Sequence, residues 1–248
     1  MTLAGQTAIV TGAGRGIGRA IAQALARAGA AVAVADIDCP SAQATAEALA
    51  TEGARTLALT VDVADVTAVR EMVARSVEAL GGVHILVNNA GICTLTPIEE
   101  ISEREWDRVM DVNLKGPFLC AQAALPIMRQ QRYGRIINIA SVAGKMGSLA
   151  VGAHYAASKG GLIAFTMCLA RRYAPYNITA NVIAPGPAAT DMTRDWPEET
   201  KQLLIERIPL GRMARPQDVA AAALFLTSEG AGFITGEVLD VNGGFLMD

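Results

Sequence analysis

Residues 11–18, TGAGRGIG, decide how the rest of the chain is read. They follow the apolar run Ala8-Ile9-Val10 and lead into Ile17, Ala20, Ile21, Ala24, Leu25 and Ala28, which recur at the spacing of one buried helical face. A glycine-rich turn between a strand and a helix leaves unpaired amides and the positive end of a helix dipole where a pyrophosphate can sit. The strict G-x-G-x-x-G spacing fails, because Ile17 stands where the third glycine belongs. Gly12, Gly16 and Gly18 instead describe a looser turn that still lets backbone approach phosphate. Asp36 ends the next β-branched run, about 20 residues further on, where a carboxylate can take both hydroxyls of an adenosine ribose.

Outward from this loop the same alternation continues. Further β-branched runs lie at 32–36, 57–62, 85–88, 135–141, 178–185 and 238–241, with segments of helical period between them and Gly29 ending the first helix. Seven strands with helical crossovers predict an α/β Rossmann fold, a doubly wound, seven-stranded parallel sheet with helices on both faces. No linker, repeat or low-complexity tract divides the chain, so one domain is expected over 1–248. At 248 residues, 52% of them hydrophobic, it can bury a full core.

The composition also excludes partners. A net charge of −3 and the absence of a basic tract argue against nucleic acid and against a membrane surface. No apolar run approaches the about 18 residues of a spanning helix. The start, MTLAGQTAIV, has no positive region and runs straight into the first strand, so no cleaved signal is expected. Cys39, Cys93, Cys120 and Cys168 are far apart and form no C-x-x-C pair, which reads as reduced core thiols in a cytoplasmic protein. His84 and His154 are too distant for a zinc motif, and no metal is expected.

A second constellation, SVAGKMGSLAVGAHYAASK, spans 141–159. Ser141 lies at a strand's carboxyl end, and Tyr155 and Lys159 share a helix face at i, i+4. A phenol with a pKa near ~10 is a poor base at neutral pH, but a nearby ammonium favours the phenolate. Tyr155 then serves as general acid and base, Ser141 holds the substrate oxygen, and Lys159 also grips a nicotinamide ribose. Alone, Y-x-x-x-K equally fits a solvated helix face.

With these motifs in this order, the chain resembles the short-chain dehydrogenase/reductase family over nearly its whole length. The family's T-G-x-x-x-G-x-G is residues 11–18 here, which implies a dinucleotide cradle of Gly12, Arg15, Gly16, Ile17 and Gly18. The resemblance places Asp36 at the ribose, Asp62 and Val63 at the adenine, and Asn89, Ala90 and Gly91 after the fourth strand. Pro185, Gly186, Ala188 and Thr190, with Tyr155 and Lys159, are implied at the nicotinamide end. It also implies a catalytic tetrad of Asn113, Ser141, Tyr155 and Lys159, with a carbonyl of Asn113 holding a water that links Lys159 to solvent. From the residues alone, Asn113 reads as a polar position inside a helix. Ala140 departs from many members, which carry a second serine there. The implied assembly is a homotetramer or homodimer through 114–128 and 155–174, with Phe245-Leu246-Met247 tucked into a neighbour.

These readings predict an NAD-dependent oxidoreductase that moves hydride between the cofactor and a secondary alcohol or ketone. NAD is expected over NADP because Asp36 opposes a 2′-phosphate, although Arg15 could meet one. A small polyol, sugar, diol or hydroxy acid is the expected substrate. A second reading is a 3-oxoacyl-[acyl-carrier-protein] reductase, with Arg132 meeting the acidic carrier and Tyr176 where further positive charge would help. A third, from another class, is a non-catalytic dinucleotide-binding regulatory protein. The substrate pocket should be walled by residues after Ser141, by 93–96 and by 190–209, the last being either a mobile lid or a fixed surface helix. Lys145 and His154 are open between contact with a polar substrate and simple solvation.

Overall fold

The computed structural model describes residues 2–147, 151–194 and 196–247. Strands and helices alternate from the first turn: β1 (Thr7–Thr11), α1 (Gly16–Arg27), β2 (Ala31–Asp36), α2 (Cys39–Thr51), β3 (Thr56–Thr60), α3 (Val66–Leu80) and β4 (Ile85–Asn88). The second half holds α4 (Glu103–Met110), α5 (Gly116–Gln131), β5 (Gly134–Ile139), α6 (Ala143–Met146), α7 (Ala153–Tyr173) and β6 (Ile178–Pro185). It closes with α8 (Asp191–Arg194), α9 (Glu198–Glu206), α10 (Pro216–Thr227) and β7 (Val238–Val241).

Among the described residues the strands form one seven-stranded sheet in the order 3-2-1-4-5-6-7, every neighbouring pair parallel. Central strands of such a sheet are covered on both faces, which is why β1, β2 and β5 are buried at every position. Side chains alternate across it. Ala8 and Val10 pack with α1, α2 and α10, while Ile9 joins the layer of α3, α5 and α7.

Local signals fix the helix ends. Asp65 caps α3 by accepting from the amides of Thr67 and Ala68, and Gly81 ends it in the left-handed region at φ 93°. Two strands stop two residues before the predicted ends, so Asp62 and Ser141 emerge just beyond β3 and β5. The order of the strands reverses between β1 and β4. Their carboxyl ends therefore diverge and leave a crevice, where ligands of doubly wound sheets sit.

The cysteines depart from expectation. Only Cys120 is buried, Cys93 is half-buried, and Cys39 and Cys168 are exposed, since the latter two lie on the outward faces of α2 and α7. All four are free thiols.

Candidate active site

The loop after β1 explains its own glycines. Gly12 and Gly16 have φ of 62° and 55°, which disfavours a side chain. A Cβ on Gly18 would lie 2.1 Å from the Gly12 carbonyl oxygen, so Gly18 takes the close-packing role of the missing third glycine and leaves Ile17 free to face the crevice. A Cβ on Gly16 would meet only Thr190, at 3.8 Å, and the loop's floor stays open. Asn89 clamps the turn from β4: its Nδ2 donates to the carbonyls of Thr11 at 2.9 Å and Gly12 at 3.0 Å. Thr11 Oγ1 accepts from the amides of Asn89 and Ala90, each at 3.1 Å. This anchoring by Thr11 was legible only as the first letter of the motif.

Asp36 is buried at the end of β2, where its carboxylate accepts from the amides of Gly14 at 2.8 Å and Asp38 at 3.0 Å. Arg15 lines the crevice nearby. Asp62 accepts from the Ala64 amide at 3.0 Å and pairs with Arg108 at 3.0 Å, a partner no sequence motif indicated.

At the other end the proposed acid–base groups converge. Lys159 is 4% exposed, donates to the Ile139 carbonyl at 2.8 Å and stands 5.7 Å from the centre of the Tyr155 ring. Burial pushes its ammonium down to about 8, against a smaller opposing influence of Cys93. Burial raises the Tyr155 phenol above its ordinary value; Cys93 adds to the rise and a hydrogen bond with Ser141 works against it. Burial thus favours the neutral phenol, and the Ser141 hydrogen bond works the other way. Ser141 Oγ also accepts from the Ala143 amide at 3.1 Å, which orients the hydroxyl at the mouth of α6.

Asn113 stands behind this group. It is fully buried in a widened π turn, Asp111–Lys115, between α4 and α5. Its Oδ1 accepts from the Ile92 amide at 2.9 Å, and its Nδ2 donates to the Ile92 carbonyl at 2.9 Å and Ser158 Oγ at 3.1 Å. Ser158 in turn donates to the Tyr155 carbonyl at 2.7 Å. Both hydrogens of the side-chain amide are thus engaged, while Oδ1 keeps a second lone pair. A Cβ on Gly91 would lie 3.3 Å from Asn113 Oδ1 and 3.4 Å from Lys159 Nζ, so this glycine keeps the space between them free.

These groups share a cleft of about 920 Å³. Gly12, Arg15, Gly16, Ile17, Asp36, Asp62, Val63, Asn89, Ala90 and Gly91 line it, as do Ser141, Tyr155, Lys159, Pro185, Gly186, Ala188 and Thr190. Gly18 and Asn113 do not reach its wall and act from beneath. The cradle that only glycines permit, its open floor and the carboxylate one strand away fit a dinucleotide.

The substrate end differs from expectation in several places. Of residues 93–96 only Cys93 reaches the cleft; Thr94 turns away to His154. His154 is neither solvated nor in the cleft but wholly buried, because α4 covers it. Lys145 pairs with Asp240 on β7 at 2.5 Å instead of facing a substrate. Phe245 lines the cleft of its own chain beneath the Arg207 guanidinium, 4.7 Å from the ring centre. From 190–209, Met192, Trp196 and Leu204 wall the cleft together with Asp191, Thr193 and Arg207, and Met146 and Val151 line it too. Residues 148–150 and Asp195, within the expected walls, lie outside the described residues.

Residues 12–246 match a family profile described as enoyl-(acyl carrier protein) reductase. The chain is 39% identical over 244 residues, 98% of either chain, to the (2S)-[(R)-hydroxy(phenyl)methyl]succinyl-CoA dehydrogenase subunit BbsD of Thauera aromatica. It is 42% identical over 243 residues, again 98% of either chain, to the 3-oxoacyl-[acyl-carrier-protein] reductase FabG of Staphylococcus aureus. A solved structure, a short-chain type dehydrogenase/reductase from Mycobacterium marinum, superposes with a TM-score of 0.95 at 34% identity, covering 100% of this chain and 98% of that one.

Proposed function

The chain belongs to the short-chain dehydrogenase/reductase family, oxidoreductases that act on CH–OH groups with NAD(P), and from that premise we propose that it interconverts 3-hydroxyacyl and 3-oxoacyl thioesters with NAD. The non-catalytic reading falls away with membership of this family. The expected polyol or sugar yields to the acyl-thioester class of the second reading, with the carrier left to a separate comparison. The observation that carries this is the set of apolar side chains Met146, Val151, Met192, Trp196, Leu204 and Phe245 in the cleft wall, which suits an acyl chain, with Asp191, Thr193 and Arg207 as polar groups from the same segment. The similarity to FabG and BbsD, whose names give acyl groups on a carrier protein and on CoA, supports the same class.

A bound nicotinamide dinucleotide supplies the hydride carrier. In the direction of reduction, Ser141 and Tyr155 hydrogen-bond the substrate's 3-oxo oxygen, and Tyr155 gives it a proton. Lys159, fixed by the Ile139 carbonyl, then balances the phenolate. With its ammonium near 8, most of it carries charge at neutral pH. In the direction of oxidation the phenolate takes the hydroxyl proton.

We place the active chain in the cytoplasm, consistent with its free thiols and with the absence, among the described residues, of a helix long and apolar enough to cross a membrane. A second reading concerns the carrier. Arg132 donates to the Pro175 carbonyl at 3.1 Å and Arg129 lies 4.6 Å over the Tyr176 ring, at the amino ends of β5 and β6 and away from this chain's own cleft. Neither arginine therefore meets a carrier at this chain's own cleft, which removes the reason for preferring a carrier protein. Initial rates with acetoacetyl-CoA, acetoacetyl carrier protein and a panel of polyols test the reading. The CoA thioester should give the highest kcat/KM; efficient polyol oxidation with inert thioesters would refute it.

A further inference from the structure

His154 lies in the first turn of α7, immediately before Tyr155, and nothing in the chemistry above uses it. Its Nε2 is 2.9 Å from Thr94 Oγ1 and 3.1 Å from Glu105 Oε1. That same carboxylate oxygen accepts from Thr96 Oγ1 at 2.7 Å. The imidazole stacks on Trp106, with centroids 6.3 Å apart and planes 17° apart. Its other nitrogen, Nδ1, is buried without a partner among the described residues, and a Cβ on Gly152 would come within 2.6 Å of it. Gly152 in turn donates its amide to the Thr94 carbonyl at 2.9 Å.

The proton assignment follows from the partners. An ionised carboxylate only accepts, so Nε2 carries the hydrogen toward Glu105. The Thr94 hydroxyl first, and then that of Thr96, hold the Glu105 carboxyl below its usual range, in keeping with an ionised acceptor. Three parts of the chain therefore meet at one ring: the segment after β4 that carries Cys93 into the cleft, α4, and the start of α7. Cys93 and Tyr155 are each adjacent in sequence to a member of the cluster.

We propose that His154 is a positioning residue, fixing Tyr155 and the Cys93 wall of the cleft relative to each other through Thr94 and Glu105. A buried polar network whose members lock one another specifies a single arrangement. Displacement of an acid–base group by about 1 Å can cost on the order of 10²-fold in rate.

The test compares His154→Phe, which keeps the ring and its stack but deletes Nε2, with His154→Gln, whose amide N–H can reach the same partners. The first measurement needs no substrate: the rate of Cys93 alkylation by iodoacetamide, resolved by peptide mass spectrometry, with Cys39 and Cys168 as internal references. The second is kcat for NADH-dependent reduction of acetoacetyl-CoA, alongside the dissociation constant for NAD. In His154→Phe, Cys93 should react about tenfold faster, the effect of opening a local contact worth about 1.4 kcal/mol. Its kcat should fall about 10²-fold with NAD affinity unchanged, and Gln should restore most of both. Wild-type alkylation and kcat in the Phe variant, or a Gln variant no better than Phe, would overturn the proposal. If His154→Phe does not fold, Thr94→Val should show the same faster Cys93 alkylation, and an unchanged rate there is equally fatal. Absence of thioester turnover in the wild type would refute the thioester reading alone, leaving Cys93 alkylation to decide the role of His154.

Discussion

Asp36 is held by two backbone amides, from Gly14 and Asp38, so its carboxylate is oriented before a ligand arrives. A ribose with free hydroxyls can donate to it. A 2′-phosphate instead brings like charge, and two unit charges about 4 Å apart repel by roughly 4 kcal/mol at an effective dielectric near 20, less once salt screens them. Arg15 lines the same end and offsets part of that, without replacing the lost hydrogen bonds. Asp36→Ala should weaken NAD and strengthen NADP, moving the ratio of their dissociation constants by about tenfold or more, which is 1.4 kcal/mol. Titration of both dinucleotides against wild type and variant checks this, and an unmoved ratio would exclude Asp36 as the discriminator. Asp36 was legible in the sequence because its distance from the loop and its place at a strand end are local facts. His154 and Lys145 were not, since their partners Glu105 and Asp240 lie 49 and 95 residues away. No pattern within one element announces such a pairing.

At the level of elements, β1, its turn and α1 could be read from sequence because the positive φ of Gly12 and Gly16 and the contact of Gly18 with the Gly12 carbonyl are local, whereas Gly14 answers to Asp36 and Ser41 on the next strand and helix. The π turn at Asp111–Lys115 could not. DVNLK has an ordinary helical pattern, and what distinguishes it is the reciprocal bonding of Asn113 to the backbone of Ile92, a tertiary contact. The helices α5 and α7 carry a further consequence. Beyond the face each turns to the sheet, Phe118 remains 43% exposed and Met167 42%, while Phe118 meets Phe165 edge-on at 6.1 Å between centroids. Large apolar side chains left in solvent along two neighbouring helices favour self-association. A homotetramer, or at least a homodimer, is the expected state at micromolar concentration. Sedimentation equilibrium decides it, and Phe118→Glu should lower the association state without altering the far-ultraviolet spectrum. A monomeric wild type would remove this expectation.

Over the whole molecule, the seven alternating strands fixed the sheet, and the reversal of strand order between β1 and β4 fixed where the cleft must lie. The substrate was harder to read. Its wall is assembled from α6, α8, α9 and Phe245, segments that approach one another only after folding, so the apolar side chains they bring together could not be read from the sequence. The convergence of Ser141, Tyr155 and Lys159 was legible because a strand end and one helix face carry them. The central claim is that Tyr155 moves the proton in a hydride-transfer reaction of this cleft. Its most direct test is the turnover of acetoacetyl-CoA with NADH by wild type and by Tyr155→Phe, which retains the ring and removes only the hydroxyl. The wild type should consume NADH, and the variant should lose on the order of 10²–10⁴ in kcat while binding NAD normally. A variant that turns over near the wild-type rate would contradict the account.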